Sequence, residues 1–141
     1  MRPLLTTVLA LSLLSFCVAP AHAYSIATVG GKEVKWSIFD VGYYLDSNGW
    51  SGISNGSDLQ ALVQSFNDWQ AVSCSKLKFH KVGDTTTTNV LPTGADGNGK
   101  NELIWKEGYW PFGNNVLGVT SPLYGFSGTI SEADIAFNGT I

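Results

Sequence analysis

The alternation of apolar and polar positions divides the chain into short extended runs around one helical stretch. Val34-Lys35-Trp36-Ser37-Ile38-Phe39 alternates and predicts a strand, which Tyr43, Tyr44 and Leu45 continue as extended chain. A turn-rich loop follows from Asp46 to Gly56. The period then lengthens: Leu59, Leu62, Val63, Phe66 and Trp69 recur at three and four residues, as the apolar stripe of an amphipathic helix does. Ser57 with Gln60 three residues on has the form of a capping box and predicts the helix start. Leu77-Lys78-Phe79-His80-Lys81-Val82 returns to alternation. A strand, a helix and a strand at this spacing predict a right-handed crossover between neighbouring parallel strands.

Gly83 to Lys100 is poor in apolar residues and rich in turn formers, which predicts a long loop. Glu102-Leu103-Ile104-Trp105 gives a third strand, and an aromatic loop over "EGYWPFGNN" leads to a fourth, Val116 to Thr120. The closing stretch from Gly128 to Ile141 carries Ile130, Ala133, Ile135 and Phe137 to a turn at Asn138-Gly139 and supplies a fifth. The fold class predicted is α/β in the α+β sense: a twisted mixed five-stranded sheet with one packed helix. One helix cannot cover such a sheet, so a second is expected to be missing. Residues 24 to 141 alone are therefore expected to aggregate, dimerise or stay partly molten.

The start of the chain changes the picture of where it works. Met1 and Arg2 lead into an apolar run from Leu4 to Val18, then Pro20 and the small-residue triplet Ala21-His22-Ala23. This is the pattern of a signal peptide over residues 1–23, cleaved before Tyr24, and it predicts a secreted or periplasmic domain of residues 24–141. Phe16 stands where a lipid-attachment site at Cys17 needs a small residue. No later run reaches the roughly 20 residues of a membrane span, so no membrane partner is expected after cleavage. The formal net charge is −3 with no basic cluster, which argues against nucleic acid as a partner. Five Trp, five Tyr and seven Phe provide for a core. Beyond the leader Cys74 is the one cysteine, either a small buried thiol or one whose partner lies beyond Ile141.

Candidate chemistry within these residues is sparse. His80 is the one histidine past the leader and sits in an alternating strand without a ligand-like neighbour, as a surface residue does. The G-x-S-x-G elbow is absent and Cys74 has no positioned base in its vicinity. Asp96, Asn98, Asn101 and Glu102 in "DGNGKNE" offer hard oxygen ligands, but not at the spacing of the twelve-residue calcium loop, and a solvated turn is the favoured reading. Trp50, Trp105, Tyr109 and Trp110 are the residues with which a secreted, non-catalytic β-rich binding module would stack on carbohydrate or another flat ligand.

Four pieces in order carry a family resemblance: "SFNDWQAVSCSKLKF" from Ser65 to Phe79, "GNGKNELIWKEGYW" from Gly97 to Trp110, "LGVTSPLY" from Leu117 to Tyr124 and "SEADIAFN" from Ser131 to Asn138. Together they resemble the amino-terminal part of a bacterial matrixin-like zinc metalloprotease, a branch of the metzincins. The resemblance implies a five-stranded upper subdomain followed by a helix bearing H-E-x-x-H-x-x-G-x-x-H, whose three His hold zinc and whose Glu polarises water. With His80 alone past the leader, three His ligands are arithmetically excluded here, and the resemblance places the zinc ligands beyond Ile141. It also implies that the fourth strand, through the backbone of Leu117, Gly118, Val119 and Thr120, pairs with an extended peptide or protein substrate. It aligns Asp134 with a calcium-binding Asp, while Ala136 replaces a structural-zinc His.

Overall fold

The computed structural model describes residues 25–87 and 97–141. The expected signal peptide, its expected cleavage point before Tyr24 and the candidate ligand Asp96 lie outside the described residues. The chain is mixed α/β: two strands, β1 (Thr28–Val29) and β2 (Lys32–Glu33), form a small antiparallel hairpin, and six more form one sheet. In chain order these are β3 (Lys35–Trp36), β4 (Asp40–Asp46), β5 (Lys78–Thr85), β6 (Glu102–Lys106), β7 (Gly118–Tyr124) and β8 (Thr129–Asn138). The one helix among the described residues, α1 (Ser57–Ala71), joins β4 to β5, which are parallel neighbours as the strand–helix–strand pattern predicts. It is not long and apolar enough to cross a membrane.

The strands run β5–β4–β6–β8–β7 across the sheet. Every pairing is parallel except that of β7, which lies antiparallel to β8 along nearly its whole length. β3 and β6 share the opposite edge of β8, β3 beside Thr129 and Ile130 and β6 beside Ile135 to Asn138. The sheet therefore has six strands rather than the five expected. The predicted strand from Val34 to Phe39 divides: Lys35–Trp36 joins the start of β8, Ser37 to Phe39 leave the ladder, and β4 begins at Asp40. At the turn into β8, Gly128 has φ +79° and lies where a Cβ would collide with the Glu33 carbonyl; only glycine fits this close crossing.

Each sheet face has its own core, as strand alternation requires. On one face Tyr43, Leu45 and Leu103 are buried with Leu59, Leu62 and Phe66 of α1 against them. Phe66 stacks between Tyr43 and Phe79 at 4.5 and 4.8 Å. On the other face Ile104 and Ala136 pack beneath Trp110, Phe112 and Val116. Trp110 and Phe112 meet edge to face at 5.1 Å. The aromatic loop thus covers the face of the sheet opposite the helix.

The open surface is the other half of the helix face. A hollow of about 260 Å³ lies beside α1, lined among others by Trp36, Val41, Trp69, Leu103, Ala133 and Ile135. Two of the five residues in the predicted stripe, Val63 and Trp69, stay exposed, Trp69 at 68 %. The helix buries no residue fully. Its start also differs from expectation. Gly56, in the left-handed region, is the cap and Ser57 is already helical, so no side chain caps the helix and the Ser57–Gln60 box does not form. The Asp58 carboxylate in the first turn instead accepts the Trp50 amide at 2.7 Å.

These packing differences predict unequal costs of truncation. Leu103→Ala is expected to destabilise the domain by about 3 kcal/mol, whereas Trp69→Ala stays within about 0.5 kcal/mol, both read from urea unfolding midpoints.

Candidate functional site

The residues expected to pair with substrate fall at the end of the sheet strand that has a free edge. β7 starts at Gly118, later than the expected Val116, and reaches Tyr124. Leu117 lies just before it, 67 % exposed, yet its carbonyl accepts the Asn138 amide at 2.8 Å and so belongs to the ladder with β8. Gly118, Val119 and Thr120 are in the strand, opposite Phe137, Ala136 and Ile135. Val119 packs on the Ile104 core, and Thr120 turns to the other face, where it lines the apolar hollow.

The two outer strands differ in charge. β5 carries Lys78, His80, Lys81 and Asp84 along "KFHKVGDT", with Lys81 and Asp84 paired to each other. β7, "GVTSPLY", carries no charged residue. Charge on an edge strand discourages pairing with another chain, so β5 is protected where β7 is open.

Asp134 and the amide-rich stretch are brought together, on the face covered by the aromatic loop. Glu102, Glu132 and Asp134 are all buried there. Glu132 accepts the Gly97 amide at 2.9 Å through Oε1 and the Gly99 amide through Oε2. Glu102 accepts the Thr85 hydroxyl and, through Oε2, the Asn98 side-chain amide at 2.9 Å, and its own N–H donates to Asp134 Oδ1 at 2.9 Å. Asn101 lies on the opposite face, where it lines the apolar hollow and bridges strands: its Nδ2 donates to the Gly42 carbonyl at 2.8 Å, and its Oδ1 accepts the Ala133 amide at 2.7 Å. The stretch read as a solvated turn is thus a structural lid whose polar groups satisfy buried carboxyls. Alternation alone does not reveal this, because polar residues at every second position read as a solvent face. Among the described residues no three His, Cys, Asp or Glu side chains converge as a metal-binding set.

The remaining candidates stay apart. His80 is on the surface, as expected, with Nδ1 2.7 Å from Asp40 Oδ1, both side chains more than half exposed. Cys74 is exposed past the end of α1, which overturns the reading of a buried thiol. Of the four aromatic residues of the binding-module reading, Trp110 is core and Trp105 stacks on Phe137 at 5.3 Å. Trp50 donates its indole N–H to the Gly139 carbonyl at 3.0 Å. Tyr109 alone is largely exposed, beside a polar cleft of about 500 Å³ formed with Asp46, Asn48, Trp105, Lys106 and Glu107 at the ends of β4 and β6. In the helix-face core, burial pushes the Tyr43 phenol up, with the Lys81 ammonium acting in the opposite direction.

Comparison with models of known protein families, with curated proteins and with solved structures gave no match.

The hydrogen bonds at Glu132 make it a structural anchor. Glu132→Gln leaves one of the two glycine amides facing an NH₂ group and is expected to cost about 1–3 kcal/mol in chemical unfolding. Glu107→Gln, at an exposed carboxylate, is expected to stay within about 0.5 kcal/mol.

Proposed function

We propose that this chain is the amino-terminal part of a secreted, zinc-dependent metalloendopeptidase of the matrixin-like kind, with a metzincin-like upper subdomain whose fourth long strand receives the substrate main chain. The observation that carries the reading is the edge of β7, which is extended, uncharged and, among the described residues, bonded to a neighbour on one side only. An extended peptide added there gains main-chain hydrogen bonds without meeting a repelling charge. The apolar hollow beside α1 supports the same reading. A further amphipathic helix would cover the half-buried Ala133 and Ile135 and meet the exposed Trp69.

The described residues do not fit a zinc site. His80 is solitary, surface-exposed and engaged with Asp40. No step of hydrolysis is assigned to any residue of this chain. On this proposal its work is to position the peptide, and the zinc ligands and the base belong to a helix encoded beyond Ile141. Calcium at Asp134 is part of the same proposal, with Oδ1 already occupied by the Glu102 amide.

The test is to read the locus past the Ile141 codon, express the whole open frame, and measure zinc content and casein cleavage with and without a chelator. Bound zinc with chelator-sensitive cleavage is the expected result. A product without a histidine-bearing helix and without zinc refutes the proposal, and its retention on insoluble polysaccharide would favour the binding module.

A further inference from the structure

The connections that leave β4 and β6 diverge. The two strands are parallel neighbours, paired at Tyr44↔Glu102 and Leu45↔Leu103 and no further along. From the carboxyl end of β4 the chain passes through α1 on one face to reach β5. From the carboxyl end of β6 it passes through the aromatic loop on the other face to reach β7. β5 and β7 lie on opposite flanks of the β4–β6 pair. Connections that part in this way leave a crevice between the strand ends, and in open α/β sheets such crevices are where ligands bind. The polar cleft of about 500 Å³ lies at this point, with a volume typical of small-molecule sites. It shares no lining residue with the apolar hollow beside α1.

The walls of the cleft are tied to one another. Asp46 Oδ1 accepts the Asn48 main-chain amide at 3.1 Å and its side-chain amide at 3.2 Å. Glu107 accepts the Ser51 amide through Oε1, which joins the loop after β6 to the loop after β4. The Trp50 indole holds the Gly139 carbonyl, and the Gly139 N–H donates to the Lys106 carbonyl at 2.9 Å. A carboxylate has a second oxygen and several lone pairs, so Asp46 and Glu107 are oriented without being saturated. Groups fixed before binding lose less freedom when a ligand arrives.

The lining combines acceptors, donors and rings. Asp46 and Glu107 accept, Lys106 donates, Asn48 does either, and Trp105 and the 73 % exposed Tyr109 supply aromatic surface. Charges of both signs disfavour a ligand that is itself strongly charged. A purely apolar ligand would strip water from these groups without replacing its bonds. A neutral sugar meets both demands, because its hydroxyls donate and accept while its C–H face packs on an aromatic ring. We propose that the cleft between the carboxyl ends of β4 and β6 binds a neutral oligosaccharide, with one sugar ring against Tyr109 and its hydroxyls on Asp46 and Glu107. The site goes beyond the peptidase reading and does not depend on it.

The experiment is calorimetric titration of the product of the whole open frame with cellohexaose, chitohexaose and mannohexaose, and with hexagalacturonate as a charged counterpart. Millimolar or tighter binding of at least one neutral oligosaccharide is expected. Tyr109→Ala and Glu107→Gln, both at exposed positions, are each expected to weaken it about tenfold with unchanged unfolding midpoints. Phe126→Ala, at an aromatic residue 90 % exposed between β7 and β8, is expected to leave binding unchanged. No binding of any neutral member at millimolar concentration overturns the proposal, as does tighter binding of hexagalacturonate. Binding that survives Tyr109→Ala intact, or is lost in Phe126→Ala, overturns its assignment to the cleft. The peptidase reading fails separately. A product without zinc that binds sugar through Tyr109 leaves the sugar site standing, whereas zinc-dependent cleavage by a protein that binds none of these sugars overturns the sugar site alone.

Discussion

Burying a carboxyl group is tolerable only where hydrogen-bond donors meet it, and three such groups on one sheet face determine much of the arrangement. Glu102 and Glu132 sit on strands that are neighbours in the sheet, and each draws donors from the stretch between β5 and β6. Gly97 and Gly99, with φ of +74° and +76°, turn their amides to Glu132, a path open to residues without a Cβ. Asn101 then joins β4 to β8 across β6 by its side chain. The loop is thereby part of the sheet's cohesion, and the aromatic cover over Ile104 and Ala136 completes the same face.

Legibility in the sequence followed physical period. α1 and the parallel β4–β5 pair were readable because a 3.6-residue stripe between two alternating runs has few other solutions. The alternation of β8 is equally plain, although the division of the first expected strand makes it the sixth of the sheet rather than the fifth. Val29-Gly30-Gly31-Lys32 carries a two-residue hairpin signal that the strand pattern from Val34 onward masked. The helix cap was misplaced because Gly56 takes a backbone conformation that the neighbouring Ser57 would resist, while the Ser57–Gln60 spacing still fits the motif. The buried carboxyls were beyond reach for a different reason. Period two distinguishes the faces of a strand but says nothing of what lies over them.

The candidate site is legible as a strand more than in detail. The fourth long strand was found, but with its start two residues early, and which of its residues face outward depends on a hydrogen bond to Asn138 that no spacing rule supplies. The contrast between the edges is a matter of plain composition: "KFHKVGDT" on one side and "GVTSPLY" on the other. The order of strands makes both segments edges among the described residues.

β8 follows every other described strand and yet touches three of them. Until it emerges, β7 has no partner, β3 has none, and β6 is bonded on one side only. Trp50 must also wait for Gly139, 89 residues later, before its indole finds an acceptor. A chain of this order gains little from folding as it is made, because closing the sheet requires contacts of long sequence separation. The sheet closes only once its last described strand has been made.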